Sequence, residues 1–262
     1  MRNCVATERG FALLIVLWSV VFLALLMAGI LAAGRSAVDL AGNLRMAAQE
    51  DAAADGAINS AIFHVLAPTA WPLDGAAHMV TIGGIAVSVR VTSEAGKINP
   101  NLASTALLTG LLRATGLAGA PATALAGAIT AWRSPPASPG AADVAAAAYR
   151  AAGLPYAPPA HQFADLSELA DVIGMTPAIF ARISPFLSIY QTGDPDPAYA
   201  SATVVAALRF ARVHDPSGNV YEGAPVVRVT ACATRCRTAI VAVPGAASLN
   251  PFTVLAVGSE PQ

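Results

Sequence analysis

Between Arg9 and Arg35 the chain carries no charged residue, and the stretch GFALLIVLWSVVFLALLMAGILAAG is almost wholly apolar. As a helix rising about 1.5 Å per residue, residues 11–34 reach about 36 Å, enough to cross a hydrocarbon core of about 30 Å. This reads as one membrane span that the protein keeps. A cleaved secretory signal has an apolar core of about 7–15 residues ahead of a small-x-small site. The run here is longer, although AAG at residues 32–34 offers such a site and leaves release of a soluble secreted domain as an alternative.

Composition sharpens the picture only after that span is set aside. Apolar residues make up 55% of the chain and charged ones 12%, but alanine inflates the first figure. After Gly34 every apolar run is cut by proline, glycine, asparagine or a charge before it could span a bilayer. Membrane contact therefore belongs to one segment, and 262 residues suffice for one or two compact units. The net charge of −1 supplies no basic field for nucleic acid.

The opening MRNCVATERG is short and polar and carries Arg2 and Arg9, so the positive-inside rule keeps it cytoplasmic and sends the rest outward. A basic leader ending in Gly10, followed by Phe11 at the head of an uninterrupted apolar helix, resembles a type IV pilin-like precursor. The resemblance implies that a prepilin peptidase cuts between Gly10 and Phe11 and methylates the new N-terminus at Phe11. Most proteins of that class carry Glu as the fifth mature residue, where it meets the N-terminal amine of the neighbouring subunit already in the filament; here that place is Ile15. A carboxylate in hydrocarbon is worth keeping only with a partner amine above it. A subunit with nothing above it needs none, so Ile15 points to the filament tip.

Beyond the span, residues 36–66 are rich in Ala and Leu, and Val38, Leu44, Ala48, Ala52, Ile58, Ile62 and Val65 form a helical core stripe, with one slip near Gly56. Pro68 and Pro72 stop the helix. Residues 78–95 alternate about Gly83 and Gly84 and predict a hairpin with Val87, Val89 and Val91 on one face. A helical block follows. Asn99 and Pro100 predict a capped helix start, and Asp196 and Pro197 repeat the device. Further helices fall at APATALAGAITAWR and near 141–152, and residues 165–190 read as two short helices joined at Gly174, the second capped by Thr176 ahead of Pro177. APVVRVTACATRCRTAIVAV predicts a second hairpin and PFTVLAV a closing strand.

This order is similar to that of the general secretion pathway protein K family, the large minor pseudopilins of type II secretion. The carriers are the Gly10–Phe11 junction, Ile15, GKINPN at 96–101, ITAWR at 129–133, DLSELADVIGMTPAIFARISPFLSIY at 165–190 and PFTVLAV. The resemblance implies an α+β fold: a pilin-like long N-terminal transmembrane helix packed on an antiparallel sheet, with an inserted all-α domain. The corresponding boundaries are a leader at 1–10, a helix at 11–67, β regions at 68–100 and 211–262, and the inserted domain at 101–210. It also implies a non-enzymatic subunit of the inner membrane whose C-terminal domain is periplasmic, initiating or capping the pseudopilus. Its partners would be minor pseudopilins I, J and H, the major pseudopilin and the prepilin peptidase, and not nucleic acid. A minor pilin of a type IV pilus or competence system is the other reading, though such pilins usually lack the helical insertion.

Candidate chemistry is sparse. His64, His78, His161 and His214 are scattered, with no HExxH, GxSxG or phosphate-loop pattern, so each is read as a packing or surface residue. The 165–190 hairpin holds Asp165, Glu168 and Asp171 against Arg182, the wrong balance for phosphate. The family resemblance implies calcium sites fed by the loop after Trp132 and Arg133, but that loop is SPPASPGAADV, with Asp143 its one carboxylate. Calcium takes six to eight oxygens, several from carboxylates. Asp194 and Asp196 are explained as turn and cap, so no metal ligand and no cofactor is assigned. Cys4 lies in the leader, whereas Cys232 and Cys236 sit across a hairpin where a disulfide is geometrically possible and an oxidising compartment permits it.

Overall fold

The computed structural model describes residues 9–67, 70–117, 119–136, 138–214, 225–244 and 250–260. Helix α1 runs Arg9–Leu66, and the chain divides into two compact units, Met1–Ala53 and Ala54–Gln262. The described residues of the first unit are the N-terminal part of α1. Its helicity follows from an Ala- and Leu-rich sequence without an internal proline.

The second unit contains a five-stranded antiparallel sheet in the order β1-β2-β3-β4-β5, formed by β1 (Asp74–Ile82), β2 (Ile85–Ser93), β3 (Val226–Cys232), β4 (Cys236–Ala242) and β5 (Thr253–Glu260). β1 and β2 turn at Gly83 and Gly84, whose φ angles of +57° and +85° suit a two-residue hairpin loop that a Cβ would strain. The last turns of α1 belong to this unit. Ala54, Ala57, Ile58, Ala61 and Ile62 are buried at spacings of three and four, as are Val87, Val89 and Val91 on the sheet. Arg237 on β4 reaches Asp55 at 2.8 Å, so the residues that share its face, Ala239 and Val241, define the helix-facing side of the sheet.

The core stripe expected along α1 needs correction. Ile58 and Ile62 are buried and Val65 half-buried, but Val38, Leu44, Ala48 and Ala52 are exposed. The buried stripe starts at Ala53 and is rotated onto alanines, which let helix and sheet backbones approach.

β2 and β3 are hydrogen-bonded neighbours, yet residues 94–225 lie between them in sequence. That excursion holds α2 (Thr105–Ala114), α3 (Ala120–Arg133), α4 (Pro139–Ala151), α5 (Pro177–Ile183) and α6 (Ala202–His214), with 3₁₀ turns at Glu94–Gly96, Leu166–Asp171 and Ser184–Phe186. It has its own apolar core, with Leu107, Leu111, Ile129, Leu169, Ile183 and Leu208 among its buried residues. Thr176 caps α5 as the sequence predicts, accepting the Ile179 N–H at 3.2 Å. The other two caps lie elsewhere. Asn99 closes a turn, and α2 begins at Thr105 with Ser104 accepting the Leu107 N–H at 3.1 Å. Asp196 likewise closes a turn through the Ala198 N–H at 2.8 Å, while the Ser201 hydroxyl takes the Val204 N–H at the start of α6. In both places Asn or Asp before Pro makes an Asx turn five residues ahead of the serine that caps the helix.

Candidate assembly surfaces and the junction that orients them

Residues Leu13–Leu31 of α1 form one segment long and apolar enough to cross a membrane, with a mean hydropathy of 2.8 and none of it buried. Leu14, Trp18 and Phe22 lie along it with Ile15, which is 53% exposed. Each large apolar side chain left in water forgoes about 1.5–3 kcal/mol, so the segment requires lipid or neighbouring helices around it. Ser19, its polar exception, donates its hydroxyl to the Ile15 carbonyl at 2.8 Å and so hides its own polarity. Gly10 and Phe11 lie in the first turns of α1.

The helical insertion is fixed to the sheet by a buried charge. Glu94 follows β2 directly and is fully buried. Its carboxylate accepts Nε of Arg228 on β3 at 2.8 Å and Nζ of Lys97 at 2.9 Å. Burial works to raise the Glu94 pKa, but Lys97, Arg228 and the Ser188 hydroxyl outweigh it and hold the group below its ordinary value. The placement of two cations about one carboxylate could not be read from the sequence, because Arg228 is brought in by the β2–β3 pairing.

GKINPN is the seam beside that carboxylate. A Cβ on Gly96 would lie 2.1 Å from the Tyr199 carbonyl oxygen, so only glycine fits. The Asn99 amide donates to the carbonyls of Ile189 and Gln191, while Asn101 donates to the Phe163 carbonyl at 2.9 Å and accepts its N–H at 2.7 Å. Arg133 of ITAWR donates to the carbonyls of Pro100 and Ala103. Trp132 beside it is buried and stacks on Phe163 at 6.1 Å, with Tyr149 and Tyr156 close by. These motif residues are scaffold: they satisfy main-chain groups within the insertion.

The remaining candidates divide clearly. Cys232 and Cys236 face each other across the β3–β4 turn with Cα atoms 4.1 Å apart and are joined by a disulfide. His64 at the end of α1 and His78 on β1 sandwich Trp71 at centroid distances of 4.4 and 4.0 Å, a packing role. His161 is exposed on the surface, and the His214 side chain lies outside the described residues. In the 165–190 hairpin, Asp165 and Glu168 form a capping box, and the bonds from Ser167 hold the Asp165 carboxyl below its usual range. Arg182 donates to the carbonyls of Ala178 and Thr115. Those groups serve the fold, not a phosphate.

Calcium does not fit the loop after Arg133. Ser134, Pro135, Pro136, Ala141 and Ala142 line a groove of about 680 Å³ there, with Asp143 its one carboxylate. The Thr105 and Thr130 hydroxyls in it are bonded to each other at 3.1 Å. Among the described residues, no three His, Cys, Asp or Glu side chains come together. An alanine- and proline-lined groove lacks the oxygens that calcium requires.

Residues 87–192, from β2 through the insertion seam and α5, match the family model of type II secretion system protein K. These residues form a protein K domain. No curated protein is matched by sequence. The crystal structure of the GspK-GspI-GspJ complex from the enterotoxigenic Escherichia coli type 2 secretion system contains a chain with the same fold, at a TM-score of 0.59 and 12% identity. The likeness covers 84% of this chain and 98% of that one. The fold is therefore pilin-like α+β: the N-terminal apolar helix, the antiparallel sheet and the helical insertion occur together. The protein K domain includes the Glu94 junction, GKINPN and ITAWR, and Arg228 joins it from β3 outside the matched span.

Proposed function

We propose that this chain is the minor pseudopilin at the tip of a type II secretion pseudopilus, where it starts and caps the filament used for protein export. The observation that carries this reading is the union in one chain of a protein K domain and an uncharged apolar helix at Leu13–Leu31, none of it buried. In this reading the leader, residues 1–10, is cytoplasmic. A prepilin peptidase cuts between Gly10 and Phe11 and methylates Phe11, and the domain beyond the span is periplasmic. The neighbouring subunits are minor pseudopilins I, J and H and the major pseudopilin; the solved relative is a complex of proteins K, I and J. The role is structural: burial of α1 against other helices, and of the sheet and insertion against other tip subunits.

Ile15 supports the tip position on electrostatic grounds. With no carboxylate at this place, the subunit makes no demand for an amine above it, while its own N-terminus is free to meet the Glu of the subunit below. The test is the N-terminal mass of protein purified from membranes of its own host. A start at Phe11 carrying one methyl group is expected; a start near Arg35 would mean that the anchor is discarded, and the reading would fail.

A further inference from the structure

β5 ends the sheet, and among the described residues no strand pairs with its outer side. Such an edge presents a row of main-chain N–H and C=O groups, which chains ordinarily blunt with charge, proline or a bulge. The opposite edge is blunted. β1 has a register shift between Asp74 and Ala77, Gly75 there sits at φ +79°, the Asp74 carboxylate takes the Ala76 N–H at 2.8 Å, and Trp71 stacks on His78. β5 is different. No charged residue occurs between positions 250 and 259, and its one irregularity lies near its start, leaving Ala256 to Glu260 in regular register against Ile240 to Cys236.

Both faces of this edge are open. Val257 pairs with Ala239 and Val254 with Val241, which puts both on the helix-facing side; Val257 is 56% exposed, and Val254 and Leu255 are exposed as well. On the other face Ala256 and Gly258, beside Ile240 and Thr238, floor a groove of about 300 Å³ walled by Leu166 and residues 188–190 of the insertion, with Asp165 and Arg228, one charge of each sign, also on its lining. A helix laid on the valines would leave the main-chain groups of the edge unpaired. A strand satisfies those groups and sends its side chains alternately to the two faces.

We propose that the β5 edge receives an extended, uncharged strand from another pseudopilin subunit, which adds a sixth strand to the sheet. Its apolar side chains lie beside Val254 and Val257, and the alternate ones enter the groove over Ala256 and Gly258. From Thr253 to Ser259 the edge carries no charge to pair with one on the incoming strand, and the charges lining the groove, Asp165 and Arg228, are of opposite sign, which suits an uncharged segment; the proposal rests on the reading of this chain as a minor pseudopilin.

The test uses the full chain, expressed in its own host with the other pseudopilins, carrying a photo-crosslinking amino acid in place of Val257 or, as control, of Met79 on the β1 edge, which is 69% exposed. A crosslink to another pseudopilin from position 257 and none from position 79 is expected. Val257→Lys, at an exposed position, should reduce recovery of that pseudopilin with the chain at least about tenfold. If position 257 crosslinks to nothing or to a second copy of this chain while other pseudopilins still copurify, the strand proposal fails and the minor pseudopilin reading stands. If no pseudopilin copurifies with the unmodified chain, the reading itself fails.

Discussion

Glu94, at the end of β2, accepts Nε of Arg228 on β3 at 2.8 Å, and the same carboxylate oxygen accepts Lys97 from the first turn of the insertion. One buried oxygen thus joins two neighbouring strands to the segment that departs between them. Glu94→Gln removes the charge and keeps the shape. Because Arg228 and Lys97 retain some access to water, the expected loss is about 3 kcal/mol, the low end for breaking a buried pair. Urea unfolding of the purified protein measures it; an unchanged midpoint would refute the role.

The same group sets an acid limit. Its folded pKa is lowered, so its contribution is complete above the unfolded value, near 4.5, and is lost as pH falls through the folded value. The wild-type protein should therefore lose stability below about pH 4.5 more steeply than Glu94→Gln. Parallel curves for the two proteins would contradict the assignment.

The Cys232–Cys236 bridge closes a short loop, so chain entropy alone gives it at most about 2 kcal/mol. Protein isolated without reductant should resist alkylation at both positions. The double variant Cys232→Ser, Cys236→Ser should fold with a slightly lowered melting temperature. Full alkylation of both thiols in the native protein would show that the bridge does not form in the cell.

At Ile15 the expectation concerns order of assembly. Ile15→Glu creates a carboxylate in hydrocarbon that needs an amine from another subunit. The variant should enter filaments at internal positions or lose its tip partners, read by crosslinking order and by export. Unchanged assembly order and export would remove the electrostatic argument for the tip.

Calcium should be dispensable for stability. The groove beside Asp143 lacks an oxygen cage, and Trp132, Tyr149, Tyr156 and Phe163 hold that part of the insertion together by aromatic packing. The melting temperature should be the same in millimolar calcium and in chelator. A chelator-dependent drop of several degrees would show a site that this donor set does not explain.

Much of the architecture was legible because its signals are local. Uncharged length marked the span, Gly83 and Gly84 marked a turn, and Thr176 with Pro177 marked α5. The caps at Asn99 and Asp196 were misplaced because an Asx turn and a helix start use the same residues. The α1 stripe was misread since alanine stands on every face of this segment and so does not fix the phase of the stripe, whose buried residues from Ala53 onward are largely alanine. The Glu94 junction and the Trp71 sandwich were beyond reach. Each joins residues that only the folded sheet brings together.

The placement of the insertion between adjacent strands bears on the order of folding. Pairing β2 with β3 must close a loop of residues 94–225, an entropic cost on the order of 4 kcal/mol for a flexible chain. An insertion that folds first shortens that loop, because Ile98 already bridges to Leu187 and Glu94 waits beside Ser188 for Arg228. The helical domain thereby acts as a template for the sheet: two strands far apart along the chain find their register once most of the excursion between them has folded.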